Sequence, residues 1–243
     1  MRNFLITGAT SGIGKGICIS LLQQGERVIG IGRDVTKVSD VLEQFQSSFH
    51  FVSIDLNLPL ENISEIDTLL NGFGKIHGMV YCAGKEETLP LSSYSHEKVN
   101  DIFNVNFHGA FQLLRMFSKK KSCHDGASFV FLSSIMGELG QPGKTAYCSS
   151  KAAIIGLVRA AALELASRGI RVNSVSPGVV ETPMTAHLFS IIGKEKEREI
   201  KSMHPLGFGK VDDIVSLISF LLSDNSKWIT GQNFKIDGGY SIK

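Results

Sequence analysis

Apolar positions along the chain fall into short runs of strand length, each followed by a stretch in which apolar residues recur at helical spacing. The runs span 3 to 7, 27 to 32, 49 to 54, 77 to 82, 127 to 133, 170 to 176 and 233 to 236. Strand and helix in alternation is the pattern of βα units rather than of a sandwich or a bundle. Several runs are apolar almost throughout, as in Gly78-Met79-Val80-Tyr81-Cys82 and Ser128-Phe129-Val130-Phe131-Leu132. Such strands are covered on both faces. The pattern therefore predicts an α/β fold, a doubly wound parallel sheet of about seven strands flanked by helices, in a single domain over residues 1–243. Ligands of such sheets sit beyond the carboxyl ends of the strands, where the winding reverses, so chemistry is expected just after each strand.

Charge and composition narrow the class. The 243 residues carry 25 Lys and Arg against 23 Asp and Glu, a net charge of +2, and no basic run is interleaved with aromatics, so nucleic acid is not an expected partner. Apolar stretches such as 152 to 158 and 214 to 222 fall short of the roughly 20 residues that span a bilayer, and no membrane partner is expected. Met1-Arg2-Asn3 runs directly into Phe4-Leu5-Ile6-Thr7, without the layout of a secretion leader, so the expected location is the cytoplasm. Cys18, Cys82, Cys123 and Cys148 show no CxxC spacing, and the seven histidines form no ligand pattern, so free thiols and no metal are expected. Between Pro183 and Pro205 the charge alternates through Lys194-Glu195-Lys196-Glu197-Arg198-Glu199, which predicts a solvated helix. Its place after a strand end also suits a mobile lid over about 183–204.

Thr7-Gly8-Ala9-Thr10-Ser11-Gly12-Ile13-Gly14 follows the first strand and opens a helix. Glycines at Gly8, Gly12 and Gly14, with Thr10, Ser11 and Ile13 between them, permit a tight turn and close backbone approach to a phosphate at the helix N-terminus. A P-loop would need Ser or Thr after Gly14-Lys15, where Gly16 stands. After the second strand comes Arg33 in place of the acid that would hold the ribose hydroxyls of NAD; its guanidinium suits the 2′-phosphate of NADP. Asp34 beside it leaves two alternatives open, pairing with Arg33 or serving the ribose. Asp55-Leu56 after the third strand is placed to meet an adenine edge, and Cys82-Ala83-Gly84 after the fourth lets a cofactor approach the backbone.

Tyr147 and Lys151, four residues apart, lie on one face of a helix. A nearby ammonium favours the phenolate and makes Tyr147 a usable proton donor to a carbonyl or acceptor from an alcohol. Ser133-Ser134 ends an apolar strand where a hydroxyl can donate to the same oxygen. Glu86 and Glu87 after Gly84 are placed either to face substrate or, the reading preferred, to form surface loop, and Lys119-Lys120-Lys121 reads as a favourable helix end. The helix from Tyr147 onwards is apolar nearly all round, which predicts burial on more than one side, the second by another subunit.

With these residues in order, the chain resembles the short-chain dehydrogenase/reductase family over its whole length, and in pattern most resembles the 3-oxoacyl-[acyl-carrier-protein] reductases. The matching features are Thr7 to Gly14, Asp55, Ala83-Gly84, Asn106, Ser134, Tyr147, Lys151, Pro177-Gly178, Thr182 and the ending Ile229-Thr230-Gly231-Gln232 through Asp237-Gly238-Gly239. The resemblance implies a Rossmann-type fold and hydride transfer between NADP(H), with NAD(H) left open, and a small carbonyl or secondary alcohol. It implies that Tyr147 is the acid/base, that Ser134 orients the carbonyl, and that Lys151 binds the nicotinamide ribose and tunes Tyr147. Asn106 would hold a water linking Lys151 to solvent, and Pro177, Gly178, Val180 and Thr182 would line the nicotinamide. Such proteins are commonly homotetramers or dimers.

The family's spacing selects Ser134 over Ser133. Two departures stand out: Tyr81-Cys82 replaces the usual Asn-Asn, which removes a brace on the neighbouring strand, and Phe208 replaces an arginine, with either a subunit contact or the lid affected. Alternatives kept open are a sugar or small-alcohol dehydrogenase using NAD(H), a cofactor-binding scaffold without turnover, and nucleotide-sugar chemistry on a related fold.

Overall fold

The computed structural model describes residues 1–58 and 72–242. Seven strands, β1 (Asn3–Thr7), β2 (Arg27–Gly32), β3 (Phe49–Ser53), β4 (Ile76–Tyr81), β5 (Cys123–Leu132), β6 (Arg171–Pro177) and β7 (Asn233–Ile236), form one sheet in the order β3-β2-β1-β4-β5-β6-β7. Every pairing is parallel. The described α-helices are α1 (Gly12–Gln23), α2 (Ser39–Gln44), α3 (His96–Phe103), α4 (Gly109–Phe117), α5 (Thr145–Leu165), α6 (Pro183–Ser202) and α7 (Val211–Leu222).

The sheet divides the core into two layers because successive strand residues face opposite sides. Leu5, Ile29, Met79, Phe129 and Phe131 pack under α4 and α5, whereas Phe4, Ile6, Val28, Val80 and Val130 pack under α1 and α7. The winding reverses between β1 and β4, which are neighbours paired from Phe4↔Gly78 to Thr7↔Tyr81. That reversal opens a crevice beyond the carboxyl ends of these two strands.

The strand runs match the sheet with small shifts, each with a local cause. β4 ends at Tyr81 because the next two N–H groups, of Cys82 and Ala83, turn to the Thr7 hydroxyl at 3.0 and 3.1 Å. β5 begins at Cys123, ahead of its apolar run, through the exposed His124-Asp125-Gly126, and its register against β4 shifts between Ile76 and Gly78. An apolar pattern cannot register such a polar lead-in.

With its short 3₁₀ extension, α5 is long and apolar enough over Thr145–Arg168 to cross a membrane by length and composition, a property the run-by-run reading did not register. It serves as a core helix, packed along β6 and carrying Ile154, Ile155 and Val158 inwards. Its opposite face leaves Ala152, Gly156, Ala160 and Leu163 exposed, so within the chain only one stripe of this helix is buried. The solvated helix expected between the two prolines is α6, which buries none of its residues and is broken at Gly193, where φ is 84°.

Candidate active site

The phosphate end is built by the turn from β1 into α1. Ser11 is the N-cap of α1 but makes no side-chain cap bond, and no acidic residue stands in the first turn. The leading N–H groups are thus offered to an external acceptor at the positive end of the helix dipole. Thr182, the N-cap of α6, lies against this turn: a Cβ at Gly12 would meet its Cγ2 at 3.3 Å. The Thr182 hydroxyl accepts from Thr185 N at 3.3 Å.

Beyond β2, Asp34 neither pairs with Arg33 nor points freely. It caps the 3₁₀ turn Val35–Val38, accepting from Thr36 N at 3.0 Å and Thr36 Oγ1 at 2.6 Å, bonds that hold its carboxyl below the usual range. Arg33 is exposed, and among the described residues no acidic side chain pairs with it. Asp55 is exposed and accepts from Asn57 N, whereas the Leu56 side chain is buried in the α4 layer, so only its backbone can face the crevice. Gly84 lies close to the reacting end, where a Cβ would stand 3.5 Å from both Asn106 Oδ1 and Lys151 Nζ.

Ser134, Tyr147, Lys151 and Asn106 converge from three elements. Ser134 follows β5 in extended conformation and caps a short turn, its Oγ accepting from Met136 N at 3.2 Å. Tyr147 projects from the first turn of α5, near enough to the Ser134 hydroxyl for that hydroxyl to pull its pKa down. The Lys151 ammonium, 5.8 Å from the Tyr147 ring centre, donates to Leu132 O at 2.9 Å. Burial lowers its pKa to about 8, against the pull of Cys82 and Glu86. For Tyr147 burial outweighs everything else and, with the Glu86 carboxylate, pushes the phenol up; the Ser134 hydroxyl pulls the other way. The expected lowering by Lys151 is therefore not the dominant effect.

Asn106 is buried inside a π-turn, Asn104–His108, between α3 and α4, a local overwinding often found at functional sites. Its Nδ2 donates to Lys85 O and Ser150 Oγ, both at 2.9 Å, and its Oδ1 accepts from Lys85 N at 2.7 Å. Asn106 thus ties the loop after β4 to α5. Pro177 ends β6, Gly178 N donates to Ile236 O, and buried Val180 bridges to Gly209.

Several contributors were not visible as such in the sequence. The Thr7 hydroxyl braces the backbone where the Asn-Asn pair is missing. Ser133 Oγ donates to Lys151 O at 2.8 Å, and Gly137 lets the Ser134 turn lie on α5: a Cβ there would meet Lys151 C and Ser133 Oγ at 2.9 Å. We expect Gly137→Ala to cost about 1–3 kcal/mol by overpacking and to lower kcat, read by denaturant unfolding and steady-state rates. Phe208 stacks on Phe189 of α6 at 5.3 Å, so within the chain this departure from the family pattern meets the 183–204 segment. Tyr94 Oη stands 2.8 Å from Glu87 O and 3.0 Å from Gly143 O, joining the loops on either side of the site.

Residues 8–241 match a family model described as enoyl-(acyl carrier protein) reductase. The 3-oxoacyl-[acyl-carrier-protein] reductase of Thermotoga maritima is 36% identical over 98% of this chain and 97% of its own. The chain belongs to the short-chain dehydrogenase/reductase family. As a member it is an NAD(P)-dependent oxidoreductase acting on CH–OH groups. Among solved members, 4-hydroxyisoleucine dehydrogenase complexed with NADH superposes with a TM-score of 0.91 at 32% identity, each chain covered in full. ElxO with NADP bound gives 0.85 at 29% identity, again over both whole chains. The short-chain dehydrogenase/reductase fold thus accounts for the whole sheet and for the crevice between β1 and β4.

Proposed function

We propose that the protein reduces a small carbonyl compound with NADPH, and oxidises the corresponding alcohol in reverse, with Tyr147 as acid/base. The observation that carries this reading is the convergence of the Ser134 and Tyr147 hydroxyls beside a buried Lys151, with Gly84 next to that lysine. Two hydroxyls aimed at one oxygen suit a carbonyl whose oxygen gains negative charge. That arrangement favours the chemistry of the 3-oxoacyl reductases over reduction of a carbon–carbon double bond, which the family model's description names.

The residues present fit a dinucleotide. The uncapped start of α1 would take the pyrophosphate through Gly8, Thr10, Ser11, Gly12, Ile13 and Gly14, with Asp55 and Leu56 at the adenine end and Cys82, Ala83 and Gly84 along the stretch towards Lys151. Pro177, Gly178, Val180 and Thr182 would line the nicotinamide, which when bound supplies the hydride. Ser134 orients the substrate carbonyl and Tyr147 gives the oxygen its proton. Lys151 holds the ribose hydroxyls and replenishes the proton, through a water held at Asn106. The exposed stripe Ala152, Gly156, Ala160 and Leu163 supports a homodimer or tetramer built on α5.

NADP is favoured because Asp34 is consumed by its turn while the Arg33 guanidinium stands exposed. A charge-assisted phosphate contact contributes roughly 1.5–3 kcal/mol. Arg33→Ala should therefore raise KM for NADPH by about tenfold or more with little change for NADH. Equal effects on the two cofactors would assign Arg33 no part in the choice. A second reading, an NAD(H)-linked dehydrogenase of a hydroxy acid, is favoured by the named activity and cofactor of the neighbour at TM-score 0.91. The test is oxidation of NADPH and of NADH with acetoacetyl-N-acetylcysteamine, ketoses, diketones and 4-oxo amino acids. Turnover of the thioester with NADPH supports the first reading, and turnover of a 4-oxo amino acid with NADH supports the second. Binding of neither cofactor overturns both.

A further inference from the structure

Tyr147 stands between two ammonium groups at nearly the same distance. Lys151 Nζ lies 5.8 Å from its ring centre and Lys144 Nζ lies 5.9 Å away. These two are the buried lysines among the described residues, at 4% and 9% exposure. The Lys151 ammonium meets only the neutral carbonyl of Leu132 in the described hydrogen bonds, whereas Lys144 is in direct ion contact with Glu86 Oε1 at 2.5 Å. Glu86 comes from the loop after β4 and Lys144 from the loop before α5, so the pair closes over the start of α5 from outside it. In the sequence this carboxylate looked like surface loop; its side chain is in fact only 17% exposed.

We propose that the Glu86–Lys144 pair is a positioning element of the acid/base site, in which the carboxylate and the second ammonium offset one another's charge at Tyr147. This rests on the reading of Tyr147 as the acid/base. A buried ion pair contributes little net stability compared with a well-packed apolar pair of similar size, so its presence beside the reacting phenol calls for another reason. The Glu86 charge acts on both members of the site: it raises the pKa of Tyr147 and opposes the lowering of that of Lys151. Other titratable groups facing the phenol and Lys151 are Cys148 on α5 and Cys82 at the end of β4. Burial pushes the pKa of the Cys82 thiol up, which keeps it protonated.

The proposal makes the two single replacements act in opposite directions. Glu86→Gln leaves the Lys144 ammonium uncancelled, which favours phenolate, so the pH profile of kcat/KM moves to lower pH. Lys144→Gln leaves the carboxylate uncancelled and moves it to higher pH. For a charge about 6 Å away at an effective dielectric constant of about 20, the displacement is up to about two pH units. The double variant Glu86→Gln/Lys144→Gln keeps two groups able to hydrogen-bond and returns the profile to that of the parent.

The experiment measures these profiles with acetoacetyl-N-acetylcysteamine, or with whichever ketone of the panel turns over faster, alongside Tyr147→Phe. If Lys144→Gln does not fold, Lys144→Met takes its place. Opposite shifts, restored in the double variant, support the proposal. Shifts of the same sign, or none, with Tyr147→Phe inactive, show that the pair only ties the two loops together and overturn it. An active Tyr147→Phe enzyme overturns the acid/base reading, and this proposal with it.

Discussion

Tyr147→Phe is expected to lower kcat by about a thousandfold, within the range that a positioned proton donor contributes, and to leave cofactor affinity close to that of the parent. The phenol is the group that can hand a proton to the carbonyl oxygen, and Ser134, within reach of it, remains to polarise but has no means of passing the proton on. Removal of one oxygen leaves the ring in its place beside Lys144 and Lys151. Fluorescence titration with NADPH should therefore be nearly unchanged while single-turnover reduction fails. Persistent turnover would remove Tyr147 from the reaction, and loss of both binding and turnover would assign it to the fold.

Gly14→Ala should be the most damaging glycine-to-alanine substitution among the described residues. A Cβ at position 14 would stand 2.3 Å from Gly8 O and 2.7 Å from Gly8 C, both backbone atoms of the turn before α1. Neither can rotate away as a side chain could, so either the turn opens or α1 shifts off β1. The cost is about 3 kcal/mol or more, equivalent to a fall in Tm of about 6–12 °C for a chain of this size. The same displacement misaligns the N–H groups that would meet the pyrophosphate, so NADPH affinity should fall with stability. Calorimetry and cofactor titration on the same sample check both, and a Tm within 2 °C of the parent, by about the least shift worth counting, would contradict the contact argument.

The sheet was legible because its strands are apolar on both faces, a signal independent of neighbours. Phe4 and Ile6 go to one layer and Leu5 to the other, yet all are apolar, so the run stands out before any fold is assumed. The candidate site residues stood out for a different reason: Ser134, Tyr147 and Lys151 fall in a spacing that matches a family. What the sequence could not show was which partner a given side chain meets. Asp34 being consumed by Thr36, Leu56 turning into the core, and Glu86 reaching Lys144 each depend on where a turn points a side chain. The electrostatic balance at Tyr147 was read from one neighbour in the sequence, whereas in space burial and a carboxylate from another loop dominate. α5 shows the same limit: composition makes it apolar nearly all round, and only packing reveals that the inner stripe alone is covered by this chain.

The Tyr94 hydroxyl binds the backbone of two segments at once, through Glu87 O and Gly143 O, and Leu89 N reinforces the second contact at 2.9 Å. One segment carries Glu86 and the other carries Lys144 on the approach to Tyr147. The two loops therefore behave as a single mechanical part with one hinge bolt. Grafting either loop alone from a relative would set its backbone against a mismatched partner. A change of substrate range in this scaffold has to be engineered, or evolved, in both loops together.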